Sequence, residues 1–206
     1  MYHFTTPMAL MDYLPVAFFA VTAVVLLRDL YNKMGKGIYA LFSAGCVNVF
    51  LAGFCKATWK LLYAANICDL KPFEQMFLPV NSMGLLFVGL ALIIAVCRKG
   101  KGALLSAAPA AVGGSMLFIM MMVVGLGGMC AALSVLAGKL KKKGLTVLFV
   151  ASFLLAMGMG FMSSQDATLA WVNWAEQSIN TASQLCLMLG TLMLSKAGLK
   201  HFTWDI

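Results

Sequence analysis

Glu176, Asn180 and Gln184 recur at intervals of four within one largely apolar stretch. On a helix that spacing places an acid and two amides on one face. Asn173, Gln177 and Thr191 widen the stripe. An amide both donates and accepts hydrogen bonds, so such a face beside a cation suits a small polar or zwitterionic solute. Lys56 and Lys60 are the candidate cations, either of which could pair with Glu176. Trp59 stands between them and Asn48 precedes them on the same stretch, while Asn81 and Ser82 follow Pro79 on the next. A helix broken at Pro79 would also present backbone carbonyls to a ligand. The candidate solute-binding residues are therefore Asn48, Lys56, Trp59, Lys60, Asn81, Glu176, Asn180 and Gln184. Plainer roles compete for each: the lysines could snorkel to headgroups, the amides could join helices at about 0.6 kcal/mol apiece, and Glu176 could complement a helix N-terminus.

Other chemistries lack their residues. The only histidines, His3 and His201, are near the termini. No HExxH motif, mid-membrane aspartate pair or nucleophile elbow is present. The chain is thus not read as an enzyme, and no haem, quinone or metal cofactor is expected. Sixteen methionines are scattered and Met120–Met122 are consecutive rather than on one face, which reads as core filling. The six cysteines form no CxxC pair and mostly lie in apolar runs, so neither a zinc site nor a disulfide framework is expected.

The elements that must position these residues follow from composition. Of 206 residues, 62% are hydrophobic and 11% charged, and mean hydropathy is +0.93. Soluble domains carry about 25% charged residues, so the chain reads as an all-α, polytopic transmembrane helical bundle. No segment outside the apolar runs is long enough to fold alone, which makes residues 1–206 a single transmembrane domain. The start of the chain lacks the basic region of a cleavable signal peptide, so the first run is expected to remain as a helix. A net charge of +8 would suit nucleic acid, but its distribution argues otherwise. Twelve of the fifteen Lys and Arg sit at ends of apolar runs: Arg28, Lys33, Lys36; Arg98, Lys99, Lys101; Lys139, Lys141–Lys143; Lys196, Lys200. Short cytoplasmic loops gather such charges.

The apolar runs are Leu10–Leu27, Gly37–Tyr63, Phe77–Cys97, Ala103–Gly138, Leu145–Met162 and Leu169–Ser195. Basic clusters flank Ala103–Gly138 on both sides, which predicts a hairpin of two short helices bent near Pro109 or Gly113–Gly114; its length alone also fits one long or re-entrant segment. With the hairpin, the count is seven helices, the N-terminus outside the cell membrane and the C-terminus cytoplasmic. Trp59, Tyr63, Trp171 and Trp174 then fall at the outer interface. Gly125, Gly127 and Gly128, like Gly158 and Gly160, are read as close helix-packing positions.

An internal repeat is suggested. Gly37-Ile-Tyr-Ala-Leu-Phe-Ser-Ala44 resembles Gly144-Leu-Thr-Val-Leu-Phe-Val-Ala151, and Gly53-Phe54 resembles Gly160-Phe161, at a constant offset of 107. Asn81-Ser82 matches Asn180-Thr181 at an offset of 99. The units would be residues 10–98 and 117–196, with a linker helix at 103–116.

This 3+1+3 plan with paired asparagines resembles the SWEET and PQ-loop transporters. The resemblance implies a solute carrier in which one asparagine on each third helix, here Asn81 and Asn180, helps bind substrate. The chain has Pro15 in its first helix, but neither the Pro-Gln signature nor an early proline in the equivalent of the fifth helix. The expectation is a transporter or facilitator of a small polar solute with an outward-opening polar vestibule. The alternative is a seven-helix receptor-like sensor, or an accessory subunit of a larger complex. The expected partners are the lipid bilayer, the solute and a second copy or other membrane protein.

Overall fold

The computed structural model describes residues 5–97, 115–162 and 170–202. These are 88% helical and contain no strand. A backbone in hydrocarbon must satisfy its own N–H and C=O groups, and apolar runs of this length do so as helices. In order they are α1 (Thr6–Met11), α2 (Tyr13–Leu30), α3 (Lys36–Ala64), α4 (Lys71–Gln75), α5 (Phe77–Cys97), α6 (Ser115–Lys139), α7 (Thr146–Met162) and α8 (Ala170–Lys196). Five spans are long and apolar enough to cross a membrane: Thr6–Leu30, Lys36–Ala64, Lys71–Cys97, Ser115–Lys139 and Lys143–Met162. At 27 residues α8 is also long enough, but its polar stripe lowers its hydropathy. Large apolar side chains such as Val24, Val147, Leu154 and Phe161 are exposed on the outside of the bundle, where lipid would cover them.

Contacts along the helices set their directions. Tyr13 bonds Thr58 near one end of the α2–α3 pair, and Tyr39 bonds the Leu27 carbonyl near the other, so the two are antiparallel. The pair α7–α8 is antiparallel as well, with Ser152 on Ser183 and Phe149 on Gly190. In contrast α5 and α6 run parallel. Gly125 packs on Leu85, while Gly128 packs on Gly89 and Ile93, so residue numbers rise together along both helices. Helices α2 and α8 are parallel too, joined near their C-termini by Arg28 and Ser195. Four long helices (α2, α5, α6, α8) therefore point one way and two (α3, α7) the other. The C-terminal ends of the four carry Arg28, Lys139 and Lys196; this is termed the basic end. Cys97 stands at the basic end and Ser115 at the opposite end.

The α5–α6 approach depends on glycine. A Cβ added to Gly89 would lie 2.2 Å from the Gly125 carbonyl oxygen, and one added to Gly125 would lie 2.4 Å from the Leu85 carbonyl carbon. Gly127 meets the Phe153 ring in the same way at 3.2 Å. The packing role expected of Gly125, Gly127 and Gly128 is thus observed. At Gly158 and Gly160 it is not: nothing lies within 4 Å of an added Cβ.

Of the stretch Ala103–Gly138, the part from Ser115 onward belongs to one continuous 25-residue helix whose glycines seat on α5; the first helix of the expected hairpin falls on residues outside those described. The bend points Pro109 and Gly113–Gly114 lie outside the described residues, as does most of the linker at 103–116. One further expectation changes, at Pro79, which does not break its helix. It falls in the first turn of α5, where its missing N–H costs no internal bond, and its carbonyl accepts from the Ser82 hydroxyl at 3.0 Å.

The core is uneven along the bundle. Toward the basic end Leu26, Leu30, Phe42, Leu92, Leu133, Leu136, Phe149 and Leu194 are fully buried. At that end Arg28 Nη2 also donates to Ser195 Oγ at 3.1 Å, and the Lys33 ammonium donates to the Leu199 carbonyl. The opposite half contains a cavity.

Candidate functional site

The cavity has a volume of about 450 Å³ and is lined by all six long helices. Each contributes residues from its end away from the basic clusters: the starts of α2, α5, α6 and α8, and the ends of α3 and α7. That is the size range of pockets that enclose small ligands, about 300–1,000 Å³.

The lining has a pattern. Asp12, just before α2, and Pro15, Val16 and Phe19 of α2 precede Ile119, Met122, Val123 and Leu126 of α6 by 107 residues, and all eight line the cavity. At the same offset Val49 and Gly53 of α3 correspond to Ala156 and Gly160 of α7, again all lining. Phe77, Leu78, Asn81 and Leu85 of α5 precede Glu176, Gln177, Asn180 and Gln184 of α8 by 99 residues, and all eight line it.

Of the candidate residues, six meet here: Lys56, Lys60, Asn81, Glu176, Asn180 and Gln184. Asn81 is buried. Asn48 and Trp59 do not line the cavity. Trp59 is buried and its indole Nε1 donates to Asp69 Oδ1 at 2.9 Å, tying α3 to the segment before α4. It is therefore not an exposed interfacial ring, unlike Trp171.

The charges pair differently from expectation. Lys60 meets Asp12 rather than Glu176, with Nζ 2.8 Å from Oδ2 and both side chains 7% exposed. Asp12 sits at the junction between α1 and α2. It belongs to the site, and its signal in the sequence is a carboxylate inside the first apolar run. Lys56 holds its ammonium 4.1 Å from the centre of the Phe77 ring, a cation–π geometry. No ion pair joins Lys56 to Glu176. Along α8, Gln177 is buried in the lining, and the Oε1 atoms of Gln177 and Gln184 have no hydrogen-bond partner. An unmet buried acceptor costs about 1–3 kcal/mol, which a donor on a ligand would recover.

Among the described residues no three of His, Cys, Asp and Glu gather as a metal site would require. The arrangement is one of solute recognition: two amides at equivalent depth, one closed ion pair, one cation and one anion not joined to each other, and apolar walls. No protein-family model, curated protein or solved structure matches the chain. It is accordingly assigned to no family.

Proposed function

We propose that this protein is a carrier or facilitator of a small polar solute in the cell membrane, built from two three-helix units, α2–α3–α5 and α6–α7–α8. The observation that carries this reading is the cavity wall, in which corresponding positions of the two units face one another. Each unit runs in the same down-up-down sense. The first helix of each packs on the third helix of the other, α2 on α8 and α5 on α6, as two copies related by an axis along the membrane normal would.

The same reading gives seven crossings. Helix α5 ends at the basic end and α6 starts at the opposite end, which is the arrangement that the expected linker crossing between them calls for. With the basic end cytoplasmic, the N-terminus and the cavity are outside and the C-terminus is inside. A hollow outer half over a packed inner half is then the outward-facing state. Rocking of one unit against the other would close the first and open the second.

Counterflow in liposomes tests this. Purified protein is assayed against sugars, amino acids, vitamins and nucleosides, with Asn81→Ala and Asn180→Ala in parallel. At least one solute should exchange, and both variants should slow it. Tight binding without exchange would sink the carrier reading and favour a ligand sensor.

A further inference from the structure

We infer that the cavity takes a zwitterion with an apolar body, of the chemistry of an α-amino acid with an apolar side chain. Its carboxylate meets Lys56 and its ammonium meets Glu176. This rests on the cavity being the solute site of the carrier proposed above.

Four charged side chains line the cavity: Asp12, Lys56, Lys60 and Glu176. Asp12 and Lys60 form an ion pair at 2.8 Å that balances their charges, although the Asp12 oxygens make no hydrogen bond. What remains is one cation on the first unit and one anion on the second, with no ion pair between them. Charges withdrawn from water need a partner. The Phe77 ring gives Lys56 a partial one. A ligand of net positive or negative charge would compensate one of the two and leave the other. A zwitterion compensates both.

Hydrogen bonding favours the same chemistry. Gln177 Oε1 and Gln184 Oε1 are unpartnered acceptors on the helix that carries Glu176. Gln177 directly follows Glu176, so an ammonium near Glu176 has further donors for that side of the helix, while Gln184 lies two turns, about 12 Å, along it and faces another part of the solute. The remaining wall is apolar, including Phe19, Met122 and Leu126. Such a wall accommodates an apolar side chain and gives the hydroxyls of a sugar few partners.

The test is binding to the purified full-length protein, read as the shift in melting temperature. The probes are L-leucine, L-methionine and L-phenylalanine, with 4-methylpentanoate (leucine without its ammonium), 3-methylbutylamine (leucine without its carboxylate) and glucose. The amino acids should raise the melting temperature, and each half-molecule should bind about tenfold weaker or worse, as loss of one charge-assisted contact implies. In Lys56→Gln the amine should bind as well as leucine does. In Glu176→Gln the acid should. A purely structural role for either residue would not exchange these preferences. Leucine binding no better than both half-molecules, or glucose binding best, overturns the inference. If a variant does not fold, the half-molecule comparison on the native protein still decides. Amino-acid binding without liposome exchange would refute the carrier and leave the zwitterion site standing. Exchange of an uncharged solute with no amino-acid binding would do the reverse.

Discussion

The hydroxyl of Ser183 on α8 donates to the backbone carbonyl of Ser152 on α7 at 2.8 Å, with both side chains buried. The positions 99 and 107 residues earlier are Gly84 and Gly45. There α5 and α3 touch through backbone: a Cβ on Gly45 would lie 2.7 Å from the Gly84 carbonyl oxygen. The two units close the contact between their second and third helices at the same point by different means, one with a missing side chain and one with a buried hydroxyl pair. The hydroxyl pair asks that each oxygen keep a partner. The glycine pair asks only that nothing be added.

The α5–α6 seam should tolerate no side chain. Gly89→Ala and Gly125→Ala each place a methyl against backbone, which cannot rotate away. Each should destabilise by about 1–3 kcal/mol. Gly138→Ala, with open space around it, should be neutral or stabilising by up to about 1 kcal/mol. Melting of the purified variants, followed by size-exclusion chromatography, checks the contrast.

The Asp12–Lys60 pair should show strong coupling. Asp12→Asn leaves a buried ammonium without its counter-charge, and Lys60→Met leaves a buried carboxylate. Each single change should cost about 3–5 kcal/mol, and the double change much less than the sum. A double-mutant cycle on unfolding measures it, and strict additivity would count against the pairing.

Sidedness is testable through cysteines. Cys68 and Cys97 are both exposed, one before α4 and one at the end of α5. In intact cells an impermeant maleimide should label Cys68 and leave Cys97 unlabelled until the membrane is opened. Met116, exposed near the start of α6, should label as Met116→Cys from the same side as Cys68. Labelling of Met116→Cys from the side of Cys97 would remove the seventh crossing.

Weakening the contacts at the basic end should expose the inner half. Arg28 Nε bonds Asp29 Oδ1 at 2.8 Å while its Nη2 reaches Ser195, so Asp29 holds the arginine that ties α2 to α8. Cys46 and Cys130 are buried in the packed half. In the native protein they should react slowly with maleimide; in Asp29→Ala combined with Ser195→Ala they should react several-fold faster, read site by site by mass spectrometry. Unchanged rates would argue that these contacts do not restrain opening.

Helix positions were legible in the sequence because hydrocarbon imposes a local rule: about 20 apolar residues, bounded by charge. Phe77–Cys97 was read with both ends as observed, and Leu145–Met162 and Leu169–Ser195 to within a residue. The glutamate–amide stripe was legible because helical periodicity is local too. The offsets of 107 and 99 were also there to read, and the cavity lining follows them. Partner choice was not legible. Whether Lys60 meets Asp12 or Glu176 depends on how α3 is rotated and which helix lies beside it, and apolar sequences say little about either. The same holds for the direction of α6. Charge on both flanks of Ala103–Gly138 predicts a hairpin, but only the seating of Gly125 on Leu85 and of Gly128 on Ile93 shows that α6 runs parallel to α5. Trp59 shows the limit from the other side: an amphipathic ring beside lysines reads as interfacial, and a hydrogen bond to Asp69, ten residues away, buries it instead. Local composition determines what enters the membrane; long-range packing decides which charges meet inside it.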